Sequence, residues 1–279
     1  LVAFIVLNTR QVTYEINVHI HREDYNALTL SHLSDLEVSW VRMDYETNIT
    51  ESIMETLHNE GYKVLAVIDN RTAPFTTFEE WNKTLLSIVA NPVSQQIDGW
   101  EIWNEPNGNP YISPSNYREM LRCAYAILKN STKGLIISGG LAPIDNYKTY
   151  LYETFNVSDL GTHYDYFGLH LYGTIAENLA LVDEAKEVTN KRVWITEIGR
   201  PSETDEYTED TQASYIVENV INLTPKVESI FVYELYDCTG LSPEKENHFG
   251  LLTTAYEKKQ AYFSLKELNQ SPFEGKCSR

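Results

Sequence analysis

Lysine and arginine are scarce in this chain, 22 against 40 aspartates and glutamates, which leaves a formal net charge of −18 over 279 residues. So acidic a surface repels polyanions and offers no basic patch from which counterion release could drive binding, which excludes nucleic acids and anionic membranes as partners. Long apolar runs are also missing: no segment approaches the roughly 20 consecutive residues of a membrane span. Cys123, Cys238 and Cys277 are too few for a disulfide framework and fit no metal-ligand spacing. No metal or cofactor is expected. No glycine-rich phosphate fingerprint follows the first strand, which argues against a dinucleotide fold, and there is no internal repeat or low-complexity linker.

What is present is a recurrent alternation of apolar strands with helical patterns, the mark of a parallel sheet with crossover helices. The strand segments are Tyr14 to Ile20, Val38 to Asp44, Lys63 to Ile68, Ile97 to Trp103, Leu135 to Ser138, Tyr166 to Leu171, the run from Val193 through Glu197, and Ile230 to Leu235. Helical patterns cover Tyr25 to Leu36, Thr50 to Glu60 (capped by Thr50 and stopped by Gly61), Thr77 to Ala90, Ser113 to Asn130, Ala176 to Thr189, Thr211 to Leu223 and Lys258 to Leu268. Residues 139–163 match the repeat least well. Eight such units predict an α/β fold, a single (β/α)₈ barrel spanning 1–279, with 1–12 as an N-terminal extension and 270–279 as a C-terminal tail.

Two of these strands end in a glutamate. Trp100-Glu-Ile-Trp-Asn-Glu-Pro-Asn delivers Glu105 into a loop at a proline, and Val193-Trp-Ile-Thr-Glu-Ile-Gly-Arg-Pro delivers Glu197 into a Gly/Pro turn. Functional residues of a (β/α)₈ barrel lie at the C-terminal strand ends, so both carboxyls are expected in one cleft. Paired carboxylates of that kind suit retaining glycoside hydrolysis, in which one gives a proton to the leaving oxygen and the other attacks the anomeric carbon. Beside an ionised Glu197, Glu105 is expected to keep its proton above the ordinary carboxylate range.

Asn104-Glu105-Pro106 and Thr196-Glu197-Ile198-Gly199 resemble the signatures of the clan A, or 4/7, retaining glycoside hydrolases. The sequence Glu-Ile-Trp-Asn-Glu-Pro-Asn is most similar to family 39 and to family 5-like endoglycanases. The resemblance extends to Ile16-Asn17-Val18-His19, Trp40-Val41-Arg42, Gly168-Leu169-His170-Leu171-Tyr172 and His248-Phe249-Gly250-Leu251-Leu252. It implies Glu105 as acid/base and Glu197 as nucleophile. It further implies Arg42 pairing with Glu197, Asn104 on the sugar 2-hydroxyl, Tyr172 donating to Glu197 and His170 lining the cleft. Tyr233, Glu234, Tyr236 and Asp237 would floor the sugar site, although Phe231-Val232-Tyr233-Glu234 lacks the tryptophan usual in that family. With few cationic residues outside helices, a neutral β-linked glycan is the expected substrate. A different class of function also fits such a barrel: a carbohydrate-binding or cell-surface structural protein, with Leu1 to Leu7 docking on a partner's sheet edge.

Sequons at Asn48, Asn70, Asn82, Asn130, Asn156, Asn222 and Asn269 exceed what composition gives by chance and suggest an extracellular or cell-surface address. Cys238 and Cys277 would be able to pair there. Leu1 to Leu7 reads either as the remnant of a signal segment or as a strand plugging the barrel floor.

Overall fold

The computed structural model describes residues 15–270 apart from 48, 73, 203–206 and 242. Leu1 to Leu7, Asn48 and Cys277 lie outside the described residues. Eight parallel strands, β1 (Ile16–His19), β2 (Trp40–Asp44), β3 (Lys63–Ile68), β4 (Gly99–Ile102), β5 (Leu135–Ser138), β6 (Phe167–Leu171), β7 (Val193–Ile198) and β8 (Ser229–Val232), form one sheet in the order β5-β4-β3-β2-β1-β8-β7-β6. Bridges Ile137↔Tyr166 and Leu141↔Leu169 join its two edges and close the barrel. The (β/α)₈ fold read from the sequence is therefore the observed one.

The helices are α1 (Thr29–Leu36), α2 (Glu51–Asn59), α3 (Phe78–Ala90), α4 (Pro114–Ser131), α5 (Tyr147–Phe155), α6 (Ile175–Thr189), α7 (Glu209–Leu223) and α8 (Gln260–Gln270). Thr77 caps α3 by accepting from Glu80 N–H, and Ser113 caps α4 ahead of Pro114. Thr50 behaves differently from expectation. Its hydroxyl bonds to the Glu46 backbone, so α2 starts without a side-chain cap. Helix α5 lies within 139–163, where three buried aromatics, Tyr147, Tyr150 and Phe155, blur the helical period. Strand β8 ends at Val232, three residues before the expected Leu235, because the chain turns there into the cleft.

Trp40, Leu65, Ile137, Trp194 and Phe231 pack together as the apolar filling of the barrel, with Trp40 edge-on to Trp194 at 5.1 Å between ring centres. Gly99 faces the same layer, where an added Cβ would press on Leu65, Ile137 and Trp40. Inward-facing positions repeat every second residue along a strand. The layer above this plug is consequently made by Arg42, two residues past Trp40, and by Glu101, two past Gly99. It is polar, and it supports the site.

Candidate active site

Two departures from regular strand geometry aim the glutamates. In β7 the register runs Leu169↔Ile195 and then His170↔Glu197, so Thr196 is an extra residue. Such a bulge re-aims the side chain that follows it. Glu197 therefore turns into the mouth of the barrel beside Trp194 and Thr196 instead of outward. At the end of β4, Trp103 (φ 72°) and Glu105 (φ 46°) take the left-handed conformation that side chains seldom adopt. The chain thereby buries Trp103 against Trp81 in the outer core while Asn104 and Glu105 face the cleft. His170 fits between them because Gly140 stands opposite, where any Cβ would overlap the imidazole ring.

Arg42 is the centre of the polar layer, fully buried and bonded on every edge. Its Nε donates to Glu101 Oε2 at 2.6 Å, Nη1 to Glu197 Oε1 at 2.7 Å and to His19 Nδ1 at 3.1 Å, and Nη2 to Asn104 Oδ1 at 2.9 Å. Burial disfavours its charge, but the Glu101 and Glu197 carboxylates outweigh that and raise its pKa. Burial likewise pushes Glu101 up, and the adjacent guanidinium overcomes this to hold it at about 2. Since an arginine only donates, Asn104 must present its oxygen to Arg42 and its amide N–H₂ toward the cleft.

Glu197, 7% exposed, accepts a second hydrogen bond of 2.5 Å from the Tyr172 hydroxyl. Glu105 is held differently: with its side chain 33% exposed, Oε1 meets His170 Nδ1 at 2.9 Å, and that same nitrogen lies 3.4 Å from Glu197 Oε2. One oxygen of each glutamate and His170 Nδ1 fall within 4.8 Å of one another. Burial opposes a charge on His170, yet the carboxylates of Glu197, Glu101 and Glu105 raise its pKa to about 9. His170 Nε2 lies 3.9 Å from Glu101 Oε1, beyond hydrogen-bond reach, so that contact is electrostatic only. The expectation of a raised Glu105 pKa is corrected by this cation. Burial does push Glu105 up, but the hydrogen bond and charge of His170 prevail and lower it.

Around this centre His19, His21, Asp44, Arg71, Tyr233 and Phe249 complete a cleft of about 520 Å³. His19 Nδ1 accepts from Arg42, which leaves its proton on Nε2, 3.3 Å from His21 Nδ1, while Asp44 is paired with Arg71. His19, His21 and Asp44 bring donor atoms within 4.8 Å of one another, as would suit a metal. A metal on His19 Nε2 would require a proton on Nδ1, pointed at the Arg42 N–H groups, so the trio does not fit one. In the other cluster His170 Nδ1 stands 2.9 Å from Glu105 Oε1 and 3.4 Å from Glu197 Oε2, the place of a hydrogen-bond donor shared by two carboxylates. Tyr233 stacks on His19 at 5.3 Å and lines the cleft. Glu234, joined to it by a cis peptide, is 1% exposed and lies behind the wall, its Oε2 3.1 Å from His21 Nε2. Burial raises its pKa. Tyr236 and Asp237 face away from the two strand-end glutamates, Tyr236 bonding His32 and Asp237 pairing with Lys259.

The structure thus brings Arg42, Asn104, Glu105, His170, Tyr172, Glu197 and Tyr233 together, and adds Glu101, His19, His21, Asp44 and Arg71, which sequence reading missed. A signal for Glu101 existed: a carboxylate between Trp100 and Ile102, inside a buried strand, needs a buried cation, and Arg42 is the matching charge in β2.

A family model described as the glycosyl hydrolase catalytic core matches residues 75–250, more than half of the chain and including both strand-end glutamates. The chain belongs to that glycosyl hydrolase family. No curated protein sequence matches this glycosyl hydrolase chain. Among solved structures it is similar to a family 39 glycoside hydrolase from the gut symbiont Bacteroides cellulosilyticus WH2, with 20% identity, a TM-score of 0.74, and coverage of 92% of this chain and 64% of that one. A monomeric beta-xylosidase from Caulobacter crescentus CB15 is similar at 14% identity and TM-score 0.73, covering 94% and 69%. GH5_18 from Streptomyces cattleya, in complex with GlcNAc, is similar at 16% identity and TM-score 0.68, covering 93% and 80%. At these identities the likeness is one of fold, and the chain spans less than two thirds of the family 39 structure.

Proposed function

We propose that this chain is a retaining β-glycosidase acting on a neutral β-linked glycan, with Glu197 as nucleophile and Glu105 as acid/base. The observation that carries this reading is the carboxylate spacing. With one oxygen of each within 4.8 Å of the other, the pair suits the roughly 5–5.5 Å spacing of retaining enzymes better than the about 6.5–9.5 Å of inverting ones. Roles follow from the partners. Two donors, Arg42 and Tyr172, hold Glu197 as an oriented carboxylate, the state a nucleophile needs. Glu105, one third exposed and hydrogen-bonded through one oxygen only, is free to exchange a proton with the glycosidic oxygen.

Glu105 and His170, in contact at 2.9 Å, share a proton near neutrality and titrate as a unit. In the free protein it rests on His170. Passing across the 2.9 Å contact to Glu105 Oε1, it yields the acid form, and a sugar covering the exposed part of Glu105 adds the desolvation that favours that transfer. The basic limb of kcat/KM should consequently fall near pH 9, where the unit loses its one proton. In His170→Gln, which keeps a hydrogen-bond donor without the charge, that limb should move. A limb unmoved in this variant assigns the titration to another group.

Stereochemistry tests the reading as a whole. Proton NMR of the first turnovers of an aryl β-glycoside should show the β-anomer before mutarotation; initial release of the α-anomer would make the chemistry inverting. We also propose an extracellular address, for which exposed Asn70, Asn130, Asn156 and Asn222 are available sequons. Asn269 is half-buried, its amide donating to Leu36 O at 2.8 Å and to Ile16 O at 3.3 Å beneath the barrel.

A further inference from the structure

Among the described residues, five other than glycine have positive φ: Glu37, Trp103, Glu105, Asn190 and Tyr256. Glu37 and Asn190 are left-handed ends of α1 and α6, a common helix stop, and Trp103 and Glu105 turn β4 into the cleft. Tyr256 (φ 65°) is left over. It is the third residue of a three-residue hairpin loop, since Thr253 N–H bonds Glu257 O at 2.9 Å, Tyr256 N–H bonds Thr253 O at 2.9 Å, and Leu252 pairs antiparallel with Lys258. That position of such a loop suits glycine. A large aromatic occupies it instead, 45% exposed, edge-on to Tyr236 at 5.6 Å.

The Tyr256 ring forms part of the wall of a second cavity, about 570 Å³, which shares His21, Arg71 and Tyr233 with the catalytic cleft. Each cavity has the size of a small-molecule site, about 300–1,000 Å³, so the two in series accommodate several sugar units. The second is built from the loops after β1, β2, β3 and β8, whereas Glu105 and Ala142 to Ile144, after β4 and β5, line only the first. A general acid touches the leaving oxygen, so the aglycone lies on the Glu105 side and the second cavity on the glycone side. Glu23 and Glu46 in its walls pair with Arg22, Asp237 with Lys259 and Arg71 with Asp44, so its charges are largely matched within the protein, as suits an uncharged sugar.

We infer that this cavity is a glycone-side subsite in which Tyr256 stacks on a neutral sugar one or more units beyond the reacting residue. The enzyme then cuts within a glycan chain and releases oligosaccharides, for a cavity there has no use in removing single terminal sugars. The inference rests on Glu105 as the acid.

The test uses 4-nitrophenyl β-glycosides of glucose and xylose and of their β-1,3- and β-1,4-linked di- and trisaccharides. For the preferred series, kcat/KM should rise at least about tenfold from the mono- to the trisaccharide, the effect of one well-placed aromatic contact. Tyr256→Gly, which suits the loop and should keep the native Tm, is expected to abolish most of that ratio. Tyr256→Asn, also tolerant of positive φ, is a second variant should the glycine loosen the hairpin. Products from underivatised oligosaccharides should be disaccharides or longer. A monosaccharide glycoside as good as the trisaccharide, release of single sugars only, or a ratio unchanged in both variants would overturn the subsite. Failure of the wild-type protein to turn over every glycoside would instead overturn the assignment of Glu105 and Glu197.

Discussion

Glu197→Ala is expected to lower turnover of an aryl β-glycoside on the order of 10⁴–10⁶-fold, the scale on which removal of a covalent nucleophile acts. Fold should survive, because the truncation leaves Arg42 still paired with Glu101 and bonded to Asn104. Azide admitted to the vacated space should restore turnover of an activated glycoside and give the α-azide by a single displacement. Glu105→Ala should lose less on activated substrates, about 10²–10⁴-fold where protonation matters. Its azide product should be β, because the anion then attacks the glycosyl-enzyme on the face that water normally uses. An unaltered rate in either variant removes that residue from the mechanism, and a β-azide from Glu197→Ala removes it as the nucleophile.

The second large effect concerns Arg42, where stability and catalysis can be separated. Taking away one partner of a buried ion pair typically costs about 3–5 kcal/mol, since the charge left behind is desolvated and unpaired. Arg42→Met strands both Glu101 and Glu197. It should lower Tm by roughly 10 °C, at about 2–4 °C per kcal/mol for a chain near this size, and abolish activity. Adding Glu101→Gln removes one stranded charge, so the double variant should regain part of the Tm and none of the activity. Arg42→Lys keeps a cation without the planar fork that reaches Glu101, Glu197 and Asn104 together, and should stay folded with kcat reduced about 10²-fold. Calorimetry and kinetics on these three proteins check the argument. Native activity in Arg42→Lys would show that the fork is dispensable.

Much of this arrangement was legible because barrel strands carry their chemistry at predictable ends. Glu105, Glu197, Asn104, His170 and Tyr172 each sit at or just past the C-terminal end of a strand recognisable from apolar density alone, and Arg42 sits in the middle of another. What stayed hidden depended on three-dimensional proximity. His170 reverses the expected direction of the Glu105 pKa because it lies between two carboxylates from β4 and β7, and no local pattern announces that. The bulge at Thr196 is a matter of register and leaves no mark in composition. Likewise α5 was obscured by tyrosines that pack as core, and β8 proved shorter because Tyr233 to Asp237 leave the sheet for the cleft wall and its neighbours. Glu234 shows the limit of position-by-position reasoning: it stands at the right strand end, yet it is buried behind Tyr233 and does not line the cleft.

A covalent trap tests the central claim most directly. Incubation with 2-deoxy-2-fluoro-β-glycosides bearing a good leaving group, matched to the sugar that is turned over, should inactivate the protein with one glycosyl group bound per chain. Peptide mass mapping should then place that group on Glu197, and the labelled protein should regain activity on transglycosylation. Turnover of the parent glycoside without trapping, or a label on Glu105 or any other residue, would contradict double displacement through Glu197.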